Sequence, residues 1–286
     1  MRLGVRLKIL RSIPAASRFC RAAAHPLVLV PTMGALHEGH AALIVRARKI
    51  AGPRGTVVVS IFVNPTQFGP AEDFSRYPRP FAADRAVCET HGADAIFHPP
   101  GGAMYAADYS TWVNEELVSA PWCGAARPGH FRGVCTVVLK LFTITSPDVA
   151  VFGRKDYQQC AVIRRMVRDL NLPVRIVPME TVRARDGLAL SSRNAYLSPE
   201  ERAAAPVLRQ ALLAARASFR RGVTDAEKLR RLIIQIIMNS PLARIDYVEI
   251  GDGATLAPVV VATRGSVIAL AVFFGTTRLI DNIRLS

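Results

Sequence analysis

Two histidines three positions apart, His37 and His40, are the residues of this 286-residue chain whose types and spacing most directly indicate chemistry. They lie in the stretch P-T-M-G-A-L-H-E-G-H, residues 31–40, which follows an apolar run at residues 27–30. The run predicts a buried parallel strand, and residues 41–50 predict a helix. Backbone N–H groups at the start of a helix attract phosphate oxygens, and side chains at i and i+3 share one helix face. The pattern therefore predicts a turn in which both histidines donate hydrogen bonds to a nucleotide phosphate.

Two other interpretations of the histidine pair stay open on these residues alone. A zinc site needs three or four ligands, and no Cys-x-x-Cys lies near the pair to complete one. Alternatively, both histidines are ordinary surface residues at the start of a helix. A motif is a hypothesis until its surroundings are known, so nucleotide binding is favoured only if the other motifs support it.

The chain is strongly basic, with 37 Lys and Arg against 22 Asp and Glu and a net charge of +15. Basic surfaces bind nucleic acids by neutralising phosphates, so a nucleic-acid partner is one interpretation. However, the sequence has no compact basic run, no ribonucleoprotein motif and no zinc-finger spacing. The composition therefore favours a pocket for small anionic molecules, with neither nucleic acid nor membrane as a partner.

Composition also bears on the compartment. No apolar run reaches about 18 residues, which argues against a membrane-spanning helix. The basic N-terminal segment has no acidic residue before Glu38 and is similar in composition to an organellar transit peptide. An amphipathic first helix packed on the domain fits the short distance to the first strand better. Five cysteines at irregular spacing indicate free thiols in a reducing compartment, so we expect a cytoplasmic protein.

Strand-like and helix-like segments alternate along the first 181 residues. Further strands are predicted at residues 56–63, 94–97, 148–152 and 174–177, and helices at residues 81–91, 134–145 and 156–170. This alternation predicts an α/β fold with a doubly wound, mostly parallel, Rossmann-like sheet that binds ligands at the carboxyl ends of its strands. Residues 1–181 form the predicted Rossmann-like domain.

From residue 182 the pattern becomes that of a smaller C-terminal α+β domain, residues 182–286. The run Ser198-Pro199-Glu200-Glu201 combines an N-cap, a first-turn proline and acidic residues, and it predicts the start of a helix. A second helix is predicted from Thr224. Strands are predicted at residues 245–250, 259–262 and 266–274.

Polar side chains follow three other predicted elements, close to where the sheet would bring strand ends together. Asn64 and Gln67 come directly after a buried strand and are suited to orient a hydroxylated or carboxylated ligand. Lys155 offers a mobile positive charge for phosphates. The run S-S-R at residues 191–193 combines two hydroxyls with a guanidinium, which together grip phosphates, in a loop able to exclude water. Each feature alone is equally well explained as an ordinary turn or helix cap.

Taken in order, these motifs resemble those of the pantothenate synthetase (pantoate–β-alanine ligase) family, within the nucleotidylyltransferase superfamily. The resemblance runs from residue 31 to residue 282, and G-T-T-R-L-I-D-N at residues 275–282 resembles the C-terminal end of the family. The other matching motifs are P-T-M-G-A-L-H-E-G-H, S-I-F-V-N-P-T-Q-F, R-Y-P-R, R-P-G-H-F-R-G-V, F-G-R-K-D-Y-Q-Q and L-S-S-R-N-A-Y-L.

The resemblance implies an ATP-dependent ligation in two steps. The carboxylate of (R)-pantoate attacks the α-phosphorus of ATP, which gives pantoyl adenylate and releases pyrophosphate. The amine of β-alanine then attacks the acyl carbon, which gives AMP and pantothenate, a coenzyme A precursor. ATP is thus an implied substrate, Mg²⁺ an implied cofactor and a homodimer the implied assembly, with the C-terminal domain as a lid.

The resemblance also assigns roles to single residues. His40 stands at the position of the family's proton donor, and His37, Lys155 and Arg193 are the other candidate catalytic residues. Asp84 falls at a metal-proximal position. The implied contacts to pantoate and β-alanine come from Asn64, Gln67, Tyr77 and Gln159. The implied ATP-binding residues are Pro31, Thr32, Met33, Gly34, Ala35, Leu36, His37, Glu38, Gly39, His40, Gly153, Arg154, Lys155, Asp156, Val182, Leu190, Ser191, Ser192 and Arg193.

Three positions depart from the family's pattern. Arg154 and Cys123 stand where the family usually has Glu, and Thr66 stands where it has Met. The first two replacements make the pocket more positive. Three consequences stay open: tighter ATP binding, an altered response to Mg²⁺, or a weakened enzyme. Because the donors aimed at transition-state charge remain, an active enzyme is favoured. The alternatives are a related acyl-adenylate-forming ligase with another substrate and a catalytically weakened homologue with a basic nucleic-acid-binding surface.

Overall fold

The computed structural model describes residues 7–70 and 72–286, which group into two compact units. The first unit comprises the described residues of Met1–Glu115, together with Pro128–Arg154 and Val162–Glu180. The second comprises Glu116–Arg127, Lys155–Ala161 and Thr181–Ser286, so two short segments from earlier in the chain belong to it. The division of the chain into domains at residue 181 stays a prediction.

The first unit contains a six-stranded sheet in which every paired strand runs parallel. Its order is β1-β4-β3-β2-β5-β6, so the order reverses between β2 and β5. In open α/β sheets, ligands bind beyond the carboxyl ends of the strands at such a reversal. The strands are β1 (Lys8–Leu10), β2 (Leu27–Thr32), β3 (Thr56–Ile61), β4 (Ala95–Phe97), β5 (Val149–Gly153) and β6 (Arg175–Met179).

Helices cover the central strands of this sheet, which are apolar because parallel strands are buried on both faces. Helix α1 is capped by Ser12 and contacts α6, where the Ser17 hydroxyl donates to the Ile144 carbonyl at 3.1 Å. The basic segment after residue 10 thus forms an amphipathic helix packed on the unit. The helices between residues 13 and 169 are α1 (Ile13–Arg21), α2 (Glu38–Ala51), α3 (Phe81–Thr90), α4 (Gly101–Met104), α5 (Cys123–Ala126), α6 (His130–Thr145) and α7 (Tyr157–Asp169). Of these, α5 and the start of α7 belong to the second unit.

The second unit combines helices with a three-stranded antiparallel sheet of order β7-β8-β9. Apolar side chains of α9 and α10, such as Leu212 and Ile233, form one core cluster with those of β8, such as Leu270. The elements are α8 (Pro199–Ala204), α9 (Val207–Arg220), α10 (Ala226–Met238), β7 (Ala243–Gly251), β8 (Val267–Phe274) and β9 (Thr277–Arg284). The predicted fold class, a doubly wound parallel α/β sheet with a smaller C-terminal α+β part, is confirmed.

The sequence-based strand assignment fails in three places. The strand predicted at residues 259–262 is wrong, because this run makes one isolated bridge, at Val261, and leaves Val260 86% exposed. Two strands, β1 and β9, are not predicted. None of the described helices is long and apolar enough to cross a membrane.

A buried ion pair joins α2 to the sheet. Asp94 is 9% exposed, and its Oδ2 accepts hydrogen bonds from Arg48 Nη1 at 2.8 Å and from the Val57 amide at 2.7 Å. Removing Asp94 would leave the largely buried Arg48 without its counter-ion and the Val57 amide without this acceptor.

We therefore expect Asp94→Ala to lower the free energy of unfolding by about 3 kcal/mol, measured by urea denaturation. The matched control is Glu89→Ala, which removes an exposed pair with Arg85 on α3 and should cost less than about 1 kcal/mol. Equal effects of the two substitutions would contradict the stabilising role of Asp94.

Candidate active site

The turn after β2 has a backbone that only small residues accommodate. Gly34 has φ +86°, and a Cβ there would lie 2.9 Å from Asp84 Oδ2 and 3.1 Å from Ile61 Cγ2. Ala35 follows with φ +50°. The Thr32 hydroxyl donates to the Ser60 carbonyl at 2.7 Å and accepts the Gly34 amide at 3.2 Å, which joins the turn to β3. The turn is therefore held tightly against the neighbouring strand.

The carboxylate of Asp84, on α3, lies beneath this turn. Its Oδ2 accepts the Ala35 amide at 3.0 Å and its Oδ1 accepts the Leu36 amide at 2.7 Å, while the residue is 1% exposed. Burial raises the pKa of Asp84, and the two amide hydrogen bonds oppose that shift. The observed contacts of Asp84 hold the turn, which is a different task from the metal-proximal role that the resemblance implies.

His37 and His40 form a reciprocal cap at the start of α2. The helix begins at Glu38, three residues before the predicted start, with His37 as its N-cap. His37 Nδ1 accepts the Gly39 amide at 3.1 Å, and His40 Nδ1 accepts the His37 amide at 3.3 Å. The two ring centroids lie 4.2 Å apart. The predicted proximity of the two side chains therefore follows from their capping of the same helix turn.

These capping bonds determine where each neutral imidazole carries its hydrogen. A backbone N–H can only donate, so Nδ1 of each ring must be the acceptor and Nε2 must carry the proton. Each ring thus has an Nε2–H donor beside the N-terminus of α2, where backbone amides and the helix dipole attract anions. This arrangement suits an anion such as a phosphate.

Gln67 and Asn64 form a buried amide network at the carboxyl end of β3. Asn64 is fully buried, and its Nδ2 donates to Gln67 Oε1 and to the Gly133 carbonyl, each at 3.1 Å. Gln67 Nε2 lies 3.1 Å from Met33 Sδ in the turn after β2. Because Oε1 of Gln67 accepts from Asn64, the amide nitrogen Nε2 of Gln67 points toward Met33. The structure thus brings together three predicted site residues, Met33, Asn64 and Gln67.

Two residues of α6 also support this network, and the sequence reasoning assigned no role to them. His130 Nδ1 donates to the Gln67 carbonyl at 2.8 Å. Gly133 lies so close to the turn that a Cβ would be 2.4 Å from the Thr66 carbonyl oxygen. The sequence signal for both residues is the R-P-G-H-F-R-G-V motif, which resembles a motif of the family but predicts no particular contact.

The neighbouring side chains are largely buried. Tyr77 is 5% exposed, and its ring packs edge-on against Phe68 with centroids 5.9 Å apart. Thr66, where the resemblance implies Met, donates to Asn64 Oδ1 at 3.0 Å and lies 3.4 Å from the Tyr105 hydroxyl. Burial raises the pKa of Tyr105. The Thr66 hydroxyl therefore extends the amide network toward an un-ionised phenol.

The carboxyl end of β5 carries Gly153 and Arg154. A Cβ on Gly153 would meet no atom within 4 Å, so the space beside its backbone is open. Arg154 pairs with Glu180, just after β6, through a short Nη1–Oε1 contact. The positive charge at this departure from the family's pattern is therefore balanced by a carboxylate of the same unit.

In the second unit, the segment that carries Lys155, Asp156 and Gln159 is fixed by its neighbours. The Tyr157 hydroxyl donates to the Gly253 carbonyl at 2.7 Å. Gln158 is 6% exposed; its Oε1 accepts the Cys123 amide at 3.0 Å and its Nε2 donates to the Pro121 carbonyl at 2.7 Å. Lys155, Asp156 and Gln159 themselves are half-buried. Tyr157 and Gln158 thus anchor the start of α7 between the three candidate residues.

Residues 182–190 form a small hairpin that leads into Ser191, Ser192 and Arg193. The Leu190 amide donates to the Val182 carbonyl at 3.0 Å, which pairs two predicted ATP-binding positions. The Ser191 hydroxyl accepts the Arg193 amide at 3.3 Å and caps a short 3-10 turn, Ser192–Tyr196. Ser191 therefore does act as a cap, as one interpretation of the sequence predicts. Its oxygen accepts in this contact, so its O–H group can still donate a hydrogen bond.

No metal cage is formed by protein side chains in the part of the chain that the structure describes. Within residues 7–70 and 72–286, no group of three or more His, Cys, Asp or Glu side chains is placed to hold a metal ion. Mg²⁺ usually binds proteins through one or two carboxylates together with substrate phosphates.

Comparison with known proteins was consistent at the levels of family, sequence and structure. The family model described as pantoate-beta-alanine ligase matches residues 7–284. The pantothenate synthetase of Geotalea daltonii is 53% identical over 262 residues, which cover 92% of each chain. The crystal structure of pantothenate synthetase from Thermus thermophilus aligns with a TM-score of 0.92 at 46% identity, covering 98% of this chain and 99% of that one.

A more distant solved structure carries ligands. The pantoate-beta-alanine ligase of Francisella tularensis, complexed with beta-gamma ATP and beta-alanine, aligns with a TM-score of 0.80 at 31% identity. The alignment covers 98% of each chain.

Because both oxygens of Asp84 are used by the turn, Asp84→Asn replaces one acceptor with an N–H₂ group that opposes a backbone N–H. We expect the amide of Ala35 or Leu36 to exchange with solvent about tenfold faster in this variant, measured by hydrogen exchange. Glu89→Gln, an exposed amide substitution on the same helix, is the matched control and should leave both amides unchanged. Unchanged exchange in Asp84→Asn would show that the carboxylate does not hold the turn.

Proposed function

The chain belongs to the pantoate–β-alanine ligase family, and we propose that it carries out the family's reaction with the residues described above. It condenses (R)-pantoate with β-alanine to give pantothenate, a coenzyme A precursor, and converts ATP to AMP and pyrophosphate. The observation that supports this function most directly is the His37–His40 pair, whose Nε2–H donors lie beside a helix N-terminus within a match that spans residues 7–284.

The reaction proceeds through an acyl adenylate. A pantoate carboxylate oxygen forms a bond to the α-phosphorus of ATP, and the bond from that phosphorus to the β-phosphate oxygen breaks. Pyrophosphate leaves with the electron pair. The β-alanine amine then bonds to the acyl carbon and loses a proton, and AMP leaves. Adenylyl transfer of this kind depends mainly on positioning and on stabilising charge that develops on the phosphates.

In the first unit, we assign charge stabilisation to the turn at residues 33–40. His40 is the catalytic residue proposed to donate from Nε2 to a phosphate oxygen as charge develops there, and His37 is proposed to donate beside it. The α2 amides add a preorganised positive potential. Gly34 and Asp84 keep the turn in place, so the donors need no reorganisation during the reaction.

Pantoate recognition is assigned to the amide network after β3. Gln67 has its Oε1 engaged by Asn64, so its Nε2 is the group that is oriented to donate to a carboxylate or hydroxyl oxygen. Asn64 is a positioning residue in this scheme, because it is fully buried. Gln159, at the start of α7, is proposed as a second pantoate contact. Tyr77 is proposed to shape the pocket through its contact with Phe68.

In the second unit, Lys155 and Arg193 are proposed to bind ATP phosphates, with the hydroxyls of Ser191 and Ser192 as further donors. Both cationic side chains sit on segments held by several hydrogen bonds, which lowers the entropic cost of ordering them around a ligand. Asp156, with an acceptor carboxylate, is proposed to bind a ribose hydroxyl.

Mg²⁺, assembly and location are proposed on the same family basis. We propose that Mg²⁺ accompanies ATP as the ion bound by its phosphate oxygens, because Mg²⁺ dehydrates reluctantly and favours phosphates over all-protein cages. The protein is proposed to act as a homodimer in the cytoplasm.

The function is tested by measuring AMP formation. We expect AMP only when ATP, pantoate and β-alanine are all present with Mg²⁺, and a loss of turnover when EDTA removes the divalent ion. Without β-alanine, pyrophosphate should appear in an amount close to that of the enzyme, because the adenylate stays bound. Folded protein that forms no AMP with all three substrates would refute the function, and AMP formation that does not need pantoate would indicate another acid substrate.

The role of His40 is tested by a pair of substitutions that separate capping from donation. The amide oxygen of His40→Asn takes the place of Nδ1 and keeps the cap, but the variant has no group near Nε2. His40→Gln extends an N–H₂ group toward the Nε2 position. We expect the Asn variant to lose about 100-fold in kcat for AMP formation and the Gln variant to retain more activity, with unchanged thermal unfolding of the Asn variant. An Asn variant with wild-type activity would reduce His40 to a helix cap.

A further inference from the structure

The C-terminal motif at residues 275–282 ends in two polar residues with no role in the proposed function. Asp281 and Asn282 are neighbours on β9, an edge strand of the second unit's sheet. Side chains alternate between the two faces of a strand, so the two residues point in opposite directions. Asp281 shares its face with the buried Leu279 and Ile283 and is itself 3% exposed, whereas Asn282 is half-buried. A charge at such a position requires a specific partner.

Asp281 holds the hairpin that precedes Ser191. Its carboxylate forms a bidentate salt bridge with Arg183, with Nη1–Oδ2 at 2.6 Å and Nη2–Oδ1 at 2.7 Å. Arg183 Nη1 also donates to the Gly187 carbonyl at 3.1 Å, across the turn of the hairpin. In the second strand of that hairpin, the Leu190 amide donates to the Val182 carbonyl, and the strand continues directly into Ser191. The position of this second strand therefore depends on the buried ion pair between Arg183 and Asp281 of β9.

Asn282 holds the backbone of Lys155. Its Nδ2 donates to the Lys155 carbonyl at 2.9 Å, although the two residues are 127 positions apart in the sequence. The carbonyl belongs to a short 3-10 turn, Arg154–Asp156, that enters α7. A contact at the backbone fixes where the lysine side chain starts and leaves its ammonium group available to a ligand.

We propose that Asp281 and Asn282 are a pair of positioning residues for adenylate formation. Asn282 sets the position of Lys155, and Asp281, through Arg183, sets the position of the segment that carries Ser191 and Arg193. The inference rests on the proposed function, because it requires those side chains to bind ATP phosphates. Pyrophosphate is present only in the first step, so the pair should matter more for adenylate formation than for the attack of β-alanine.

The two steps can be measured separately in single turnovers. Adenylate formation is followed as pyrophosphate release from ATP and pantoate without β-alanine, and aminolysis is followed as AMP release when β-alanine is added to the preformed complex. The test variant is Asn282→Ala. The matched control is Arg278→Ala, on the same strand and the same face, which removes a side chain bonded to Asp246 instead of to Lys155.

We expect Asn282→Ala to slow pyrophosphate release about tenfold and to change aminolysis less than about twofold, as one lost positioning hydrogen bond predicts. Arg278→Ala should leave both rates within about twofold of wild type. Equal slowing of both steps in Asn282→Ala would indicate a general structural defect and overturn the inference, as would an unchanged first step. A wild-type protein that releases no pyrophosphate would instead overturn the proposed function, and this inference with it.

The contribution of Asp281 is tested with Arg183→Lys. This variant keeps a positive charge beside the buried carboxylate and so preserves folding, but it loses the bidentate geometry. We expect the Leu190 amide to exchange faster with solvent and the KM for ATP to rise several-fold, while the KM for β-alanine stays unchanged. Unchanged Leu190 exchange together with an unchanged KM for ATP would remove Asp281 from the pair.

Discussion

The buried carboxylate of Asp84 is the contact on which the geometry of the turn after β2 depends. A charge that is 1% exposed must be compensated by hydrogen bonds, and the amides of Ala35 and Leu36 supply them. To deliver both amides to one carboxylate, the chain takes positive φ angles at Gly34 and Ala35. The backbone then reaches His37 in an extended conformation and starts α2 directly after it. The turn and the point at which α2 starts thus depend on one compensated charge, and the capping bonds at that point orient the histidine rings.

A similar principle operates at the other predicted ligand contacts. Polar side chains that would approach substrate are held by neighbours that are more buried than they are. Asn64 holds Gln67, and Gln158 anchors the start of α7 between Lys155 and Gln159. Ordering such groups before a ligand arrives lowers the entropic cost of binding. Arg154 is different, because its partner Glu180 is more exposed than Arg154 itself, so this pair balances charge without fixing the side chain in a buried position.

Elements and contacts that are determined by residues close together in the sequence can be predicted from it, whereas those that depend on distant residues cannot. The long apolar runs predict β2, β3 and β5 because parallel strands are buried on both faces. Strand β1 has only three residues, too few to show a pattern of apolar positions. The valines at residues 259–261 are apolar, yet only Val261 makes a bridge, and an isolated one, so the same rule fails there. The spacing of His37 and His40 predicts their proximity because both lie in one helix turn. Asp84 and Asn282 act on residues 48 and 127 positions away, and no local pattern specifies such partners.

The histidine cap has a consequence for how this protein can change. Histidine is a less favourable helix N-cap than Ser, Asp or Asn, so α2 starts with a residue that is suboptimal for the helix alone. A mutational screen that rewarded only thermal stability would replace His37 with a better cap and discard the Nε2–H donor with it. Under the proposed role of His37, stability and turnover compete at a single side chain.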